Sequence, residues 1–229
     1  MAESVLIVGA GQGLSASLTR AFARDGARVG LAARDTGKLA GLCAETGATA
    51  FSCDAGSPDG VARLFDEAGA ALGDPDIVVY NPSARVPGPI TDIDPAAVSR
   101  ALTISAFGGF LVGQQAARRM LPRGSGAILF TGASASVKGY PQSAAFAMGK
   151  FALRGLAQSM ARELAPKGIH VAHFVIDGGI RSAARADPAN NPDSMLNPDE
   201  IAATYRHVAR QHRSAWTWEV ELRPWVERF

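Results

Sequence analysis

Val5-Leu6-Ile7-Val8-Gly9-Ala10-Gly11-Gln12-Gly13 joins an apolar run to a glycine-rich turn near the start of the sequence. Residues 5–8 are an unbroken apolar run. A strand with one face in water would alternate apolar and polar residues, so an unbroken run suits a strand covered on both sides. Three glycines in five residues then end the strand, and a helical pattern takes over at roughly 13–25. Strand, glycine turn and helix in immediate succession open a βαβ unit.

Working outward, the same alternation continues along the chain. Further strands are expected at residues 28–32, 49–53, 77–80, 127–131 and 170–175, with helices near 36–46, 58–72, 95–121 and 143–165. Asp94-Pro95 and Asn197-Pro198 each read as an N-cap followed by proline at the first helical position. No repeat or linker interrupts the pattern, so residues 1–229 are expected to form a single α/β domain. Its expected architecture is a Rossmann-like, doubly wound parallel sheet in three α/β/α layers. The polar stretch 181–197 follows the sixth strand, at the edge where such sheets bind ligands, and reads as a substrate lid. Within 214–229, Val220, Leu222 and three tryptophans alternate with polar residues, as an added edge strand and interface segment would.

Composition narrows the function classes. Hydrophobic residues make up 47% of the chain and charged residues 19%, and the net charge is +2. The basic residues are dispersed, which argues against a nucleic-acid partner. The most apolar helix is interrupted by Gln114, Gln115 and Arg118, so no membrane span is expected. The chain enters a strand directly, and the expected location is the cytoplasm. Cys43 and Cys53 read as buried free thiols. His173 reads as a core histidine, while His207 and His212 have no ligand partners at suitable spacing, so no metal site is expected.

The glycine loop carries the first chemical signal. At Gly9 the chain can turn tightly, and the missing side chains at Gly11 and Gly13 leave room for a pyrophosphate against the backbone. Gln12 and Leu14 complete the loop, and the helix N-terminus behind it presents N–H donors to phosphate. At the end of the second strand, Arg34 precedes Asp35. A lone acid there would accept from ribose hydroxyls, whereas an arginine accommodates a 2′-phosphate. Arg34 therefore favours NADP(H) over NAD(H), with Asp35 capping the next helix.

At this point the sequence resembles the short-chain dehydrogenase/reductase family over nearly its whole length. The glycine loop is similar to that family's TGxxxGxG. Asp54, after the third strand, resembles the aspartate that meets the adenine ring, and Tyr80-Asn81-Pro82-Ser83 stands in place of NNAG. Phe146-Ala147-Met148-Gly149-Lys150 stands where the family carries YxxxK. Gly155-Leu156-Ala157-Gln158-Ser159 and Gly168-Ile169-His170-Val171 also match. Ile176-Asp177-Gly178 replaces the segment beside the nicotinamide. The resemblance implies cofactor contacts at Gly9, Gly11, Gln12, Gly13, Leu14, Arg34, Asp54, Asn81, Lys150 and Gly178. It also implies a homodimer or homotetramer through helices 95–121 and 143–165.

The departures bear directly on chemistry. Family members use a tyrosine as acid/base, a lysine that binds ribose, a serine that orients the carbonyl, and often an asparagine that holds water. Here the corresponding positions are Phe146, Lys150, Ala133 and Ser105, so only the lysine remains. Ser15 replaces the third motif glycine, which is expected to loosen helix against strand. A positioned acid contributes about 10²- to 10⁴-fold to such a reaction, and an oriented oxyanion donor about 10²- to 10³-fold. Phe146 and Ala133 supply neither. Tyr140, Ser134 and Lys150 are the candidate substitutes, and Tyr140 reads more readily as a half-buried aromatic. Three functions follow for a small-molecule ligand: hydride transfer with a non-standard proton donor, a non-catalytic nucleotide sensor or partner subunit, or a cleft reused for a non-redox ligand. Arg181 and Arg185 in the lid read as solvated side chains or as an anion site.

Overall fold

The computed structural model describes residues 2–182 and 185–227. Seven strands form one sheet: β1 (Ser4–Val8), β2 (Arg28–Ala33), β3 (Thr49–Ser52), β4 (Ile77–Tyr80), β5 (Gly126–Thr131), β6 (Ile169–Ile176) and β7 (Glu219–Leu222). Their order is β3-β2-β1-β4-β5-β6-β7, and every neighbouring pair is parallel. The chain builds outward from β1 to β3, then crosses back to place β4 on the other side of β1. That reversal opens a crevice at the C-terminal ends of β1 and β4.

Strand periodicity divides the apolar residues between two cores, as a sheet covered on both faces requires. From β1 and β4, Leu6, Val8, Val78 and Tyr80 enter one core. There they meet α3 (Pro58–Leu72), α5 (Gly108–Met120) and α6 (Ala144–Leu164) through Leu64, Phe65, Val112 and Leu153. Val5, Ile7, Ile77 and Val79 enter the other, against α1 (Leu14–Arg24) and α7 (Pro198–Ala209) through Leu18, Phe22, Ile201 and Tyr205. Both proline-led helix starts form as expected. Asp94 accepts from Ala96 N and Ala97 N (3.0 and 3.1 Å), and Asn197 accepts from Asp199 N at 3.0 Å.

The sequence-based boundaries need two adjustments. Helix 95–121 is not continuous: α4 (Pro95–Leu102) passes through a π-helical turn at Thr103–Phe107 before α5 begins. Such a turn releases a backbone carbonyl, and the buried Tyr80 hydroxyl donates to that of Ile104. The expected helix 36–46 is a 3₁₀ turn (Gly37–Leu39) followed by the short α2 (Ala40–Thr46).

Segment 214–229 does contribute an edge strand, since β7 pairs with β6 from His173↔Glu219 to Ile176↔Leu222. Two of its tryptophans are packed. Trp216 stacks on His170 with centroids 4.8 Å apart, and the Arg154 guanidinium lies over Trp218. Trp225 is 79% exposed.

Candidate functional site

A cleft of about 610 Å³ follows the crevice, lined by the glycine loop, Arg34, Asp35, Lys38, Asp54, Asn81 and Ile104 among others. This lies within the usual size range of small-molecule sites. Gly9 N and Ala10 N both donate to Ala32 O at 2.9 Å, which ties the loop to β2. Gly9 adopts φ +81°, and a Cβ there would meet Pro82 at 2.6–2.7 Å. Gly9→Ala is therefore expected to destabilise the fold by about 2 kcal/mol, through strained φ and overpacking together. A urea denaturation midpoint unchanged by the substitution would contradict this.

Gly11 and Gly13 behave differently. A Cβ on either would meet nothing within 4 Å, so no protein contact requires glycine there. What both positions preserve is open space in front of the α1 N-terminus, where Gly13 caps without a side chain. That open cradle and its unpaired donors fit a dinucleotide pyrophosphate. Gln12 is exposed on the cleft wall, whereas Leu14 turns inward and is buried. Ser15 reverses its expected effect. Its hydroxyl donates to Gly9 O at 3.1 Å and accepts from Asn81 Nδ2 at 2.8 Å, stitching α1, the loop and the end of β4 together. The third position of the motif is thus tightened by a hydrogen bond rather than loosened.

At the adenosine end, Arg34 is exposed on the cleft wall. Asp35 turns to its own backbone, accepting from Gly37 N at 3.1 Å, and pairs with Lys38 at 3.3 Å. Lys38 is a second cation on this wall, which sequence reading missed. Asp54 accepts from Gly56 N at 3.0 Å. Neighbouring Cys53 is buried, and burial first, with Asp54 second, pushes its thiol up to about 11, so it is inert.

At the other end, Phe146 and Lys150 lie one turn apart on α6. Lys150 is 2% exposed, and its Nζ donates to Thr131 O at 2.7 Å. Burial, and then the charge of Arg85, lowers its pKa to about 7. Phe146 is 7% exposed, with the Arg85 guanidinium carbon 4.0 Å from its ring centroid. Ala133 contributes only backbone, its N–H donating to Ser136 Oγ at 3.1 Å. Ser105 sits in the π turn and accepts from Ala84 N at 3.2 Å, so it holds a loop.

The other candidate residues are placed as follows. Ser134 opens a 3₁₀ turn (Ser134–Ser136), with its carbonyl accepting from Val137 N and Lys138 N. Tyr140 is 44% exposed, and its hydroxyl makes no hydrogen bond among the described residues. Gly178 has φ +154°, and a Cβ there would meet Pro224 at 2.7 Å, so packing against the C-terminal segment requires this glycine. His173 is only half satisfied. Nδ1 reaches Glu219 Oε2 at 3.0 Å while buried Nε2 has no partner among the described residues, and burial lowers the ring's pKa to about 4.

The segment 181–197, expected to be a lid, is folded on itself. Arg181 N donates to Leu196 O, and Leu196 N to Gly179 O. The Arg181 guanidinium is held by Asp187 (3.0 Å) and Asp193 (3.5 Å), which removes it as an anion receptor. Residues 183 and 184 of this segment, and 228 and 229 of the terminal one, lie outside the described residues. Among the described residues no group of three or more His, Cys, Asp or Glu could hold a metal ion.

Comparison with known proteins agrees with this layout. A short chain dehydrogenase family model matches residues 3–191. The chain is 36% identical to a short-chain dehydrogenase from Rhodopseudomonas palustris, covering 97% of this chain and 99% of that one with a TM-score of 0.85. It is 26% identical to a metagenomic short-chain oxidoreductase solved in complex with NADP, covering 97% of each chain with a TM-score of 0.83. The cyclic-di-GMP-binding biofilm dispersal mediator protein of Escherichia coli (strain K12) is 32% identical over 90% of this chain and 83% of its own length. By fold, glycine loop and family match together, the chain belongs to the short chain dehydrogenase family.

Proposed function

We propose that this protein binds NADP(H) along the cleft as an oxidoreductase of its family, and that Lys150 is the group exchanging protons at the reacting end. The bound dinucleotide would supply or accept a hydride on a small carbonyl or alcohol. The protein's own contribution is to hold that cofactor at Gly9, Gly11, Gln12, Gly13, Arg34, Asp54, Asn81 and Lys150. One observation carries the reading: a lysine buried beside the missing hydroxyl with a pKa near neutrality, where an acid/base group is most effective. The NADP complex of the metagenomic relative supports the choice of cofactor.

Arg34→Ala is expected to weaken NADPH binding by about tenfold or more and to leave NADH nearly unchanged, because only NADPH carries the 2′-phosphate. Fluorescence titration of both cofactors checks this. Equal losses for the two would remove Arg34 from the phosphate site.

A second reading, a nucleotide sensor without turnover, is favoured by the loss of both hydroxyls at Phe146 and Ala133 and by the likeness to the Escherichia coli mediator. Tight NADPH binding with no cofactor oxidation over a broad carbonyl panel would select it. For assembly we propose a homodimer or homotetramer through the α4–α5 and α6 faces. Phe107, Phe110, Met148 and Phe151 are exposed there, and the two Phe rings stack 6.2 Å apart.

A further inference from the structure

Arg85 is the charged residue at the reacting end that the foregoing chemistry leaves without a task. It stands on the loop between β4 and α4, and that loop is fixed on both sides of it. Ala84 N donates to Ser105 Oγ at 3.2 Å, and Gly88 N donates to Gln142 O at 3.1 Å. The guanidinium is seated on the Phe146 ring, 4.0 Å from its centroid, and its charge is close enough to disfavour the ammonium of Lys150. Arg85 itself is exposed and makes no ion pair with any described carboxylate. Asp177 pairs instead with Lys138 at 3.1 Å and Arg223 at 3.7 Å.

This arrangement has a chemical consequence. A guanidinium with one face on an aromatic ring keeps its N–H donors in its own plane, free for a planar two-oxygen anion. Phe146 and Ala133 offer a neutral carbonyl no side-chain hydrogen bond. Arg85 is the exposed cation at this end, and among the described residues no carboxylate pairs with it or with Lys150.

We propose that Arg85 receives the carboxylate of the ligand at the reacting end of the cleft, so that the protein selects small organic acids bearing a carbonyl or hydroxyl over neutral aldehydes, ketones and alcohols. The inference rests on the reading that a dinucleotide fills the rest of the cleft.

The test uses the full chain loaded with NADPH, titrated with oxamate and phenylglyoxylate and, in parallel, with the neutral analogues oxamide and methyl phenylglyoxylate. Calorimetry or a melting-temperature shift reads binding. Both acids are expected to bind about tenfold or more tightly than their neutral analogues, with Arg85→Met removing that margin and Arg85→Lys restoring part of it. NADPH affinity, measured separately, should change less than about twofold in Arg85→Met, since the phosphate contacts lie at the glycine loop and Arg34. Equal binding of acids and neutral analogues overturns the proposal, as does no binding of either acid. A loss of NADPH affinity matching the loss of acid affinity also overturns it, because Arg85 would then serve the cofactor. The same acid titration on cofactor-free protein separates the two ideas: failure of NADPH to bind, with acid binding still dependent on Arg85, sinks the cofactor reading and leaves this one standing.

Discussion

Phe146→Tyr combined with Ala133→Ser is expected to raise NADPH-dependent carbonyl reduction by about 10⁴-fold or more over the unmodified chain, judged from the separate worth of a positioned acid and an oxyanion donor. The scaffold for both groups is in place. Phe146 and Lys150 are four residues apart on α6, so a hydroxyl on the ring would share a helical face with the ammonium that lowers a phenol's pKa. Position 133 directly follows β5 and Gly132, whose N–H is held by Phe174 O at 2.7 Å, so a new hydroxyl there would sit on a fixed backbone. Neither substitution opens a cavity, and each adds a single oxygen. The single variants should fall well short of the pair, because acid and oxyanion donor act on the same developing charge. Initial rates of NADPH oxidation check the result. A pair no faster than the unmodified chain would mean that the lost hydroxyls are not what limits the reaction.

Lys150→Met is expected to stabilise the cofactor-free protein at neutral pH. The folded pKa of Lys150 is about 7 against an ordinary 10.5, with burial as the main cause. Between those values the unfolded chain holds a proton that the folded chain has released, so the lysine's cost shrinks as pH rises. Below pH 7 both states are protonated and the full cost remains. A shift of that size corresponds to something on the order of 5 kcal/mol. Losing the hydrogen bond to Thr131 O opposes the gain and leaves Thr131 O unpaired. The net gain expected near pH 7 is about 2–4 kcal/mol, fading as pH rises and turning into a loss of about 1–3 kcal/mol near pH 10.5, where only the missing hydrogen bond remains. Urea denaturation of both proteins across that range measures it. A difference independent of pH would show that Lys150 is not held near neutrality.

The sheet and its switch point were legible because continuous apolar runs have one economical solution, burial on both faces between helices. The edge strand at Val220 and Leu222 was legible for the complementary reason, since its residues alternate. The π turn at Thr103–Phe107 was not, because its cause is the Tyr80 hydroxyl, which reaches it from β4. The same distinction holds within the site. Gly9, Asn81, Arg34 and Lys150 could be placed from order along the chain, whereas Arg85 on Phe146 and Ser15 against Asn81 arise between segments far apart in sequence. For Arg85 no local pattern marks the residue. Ser15 reads as a blemish in a glycine motif until Asn81 is seen to bond to it. Arg181 shows the opposite case, a plausible anion receptor by sequence whose charge is consumed by Asp187 and Asp193 within its own loop.

The proposed hydride chemistry stands on a dinucleotide lying along the crevice between β1 and β4. Fluorescence titration of the unmodified chain with NADPH and, separately, NADH measures that directly. Saturable binding of both is expected, with NADPH tighter by about tenfold on the strength of one charged contact to its 2′-phosphate. No saturable binding of either nucleotide would contradict it.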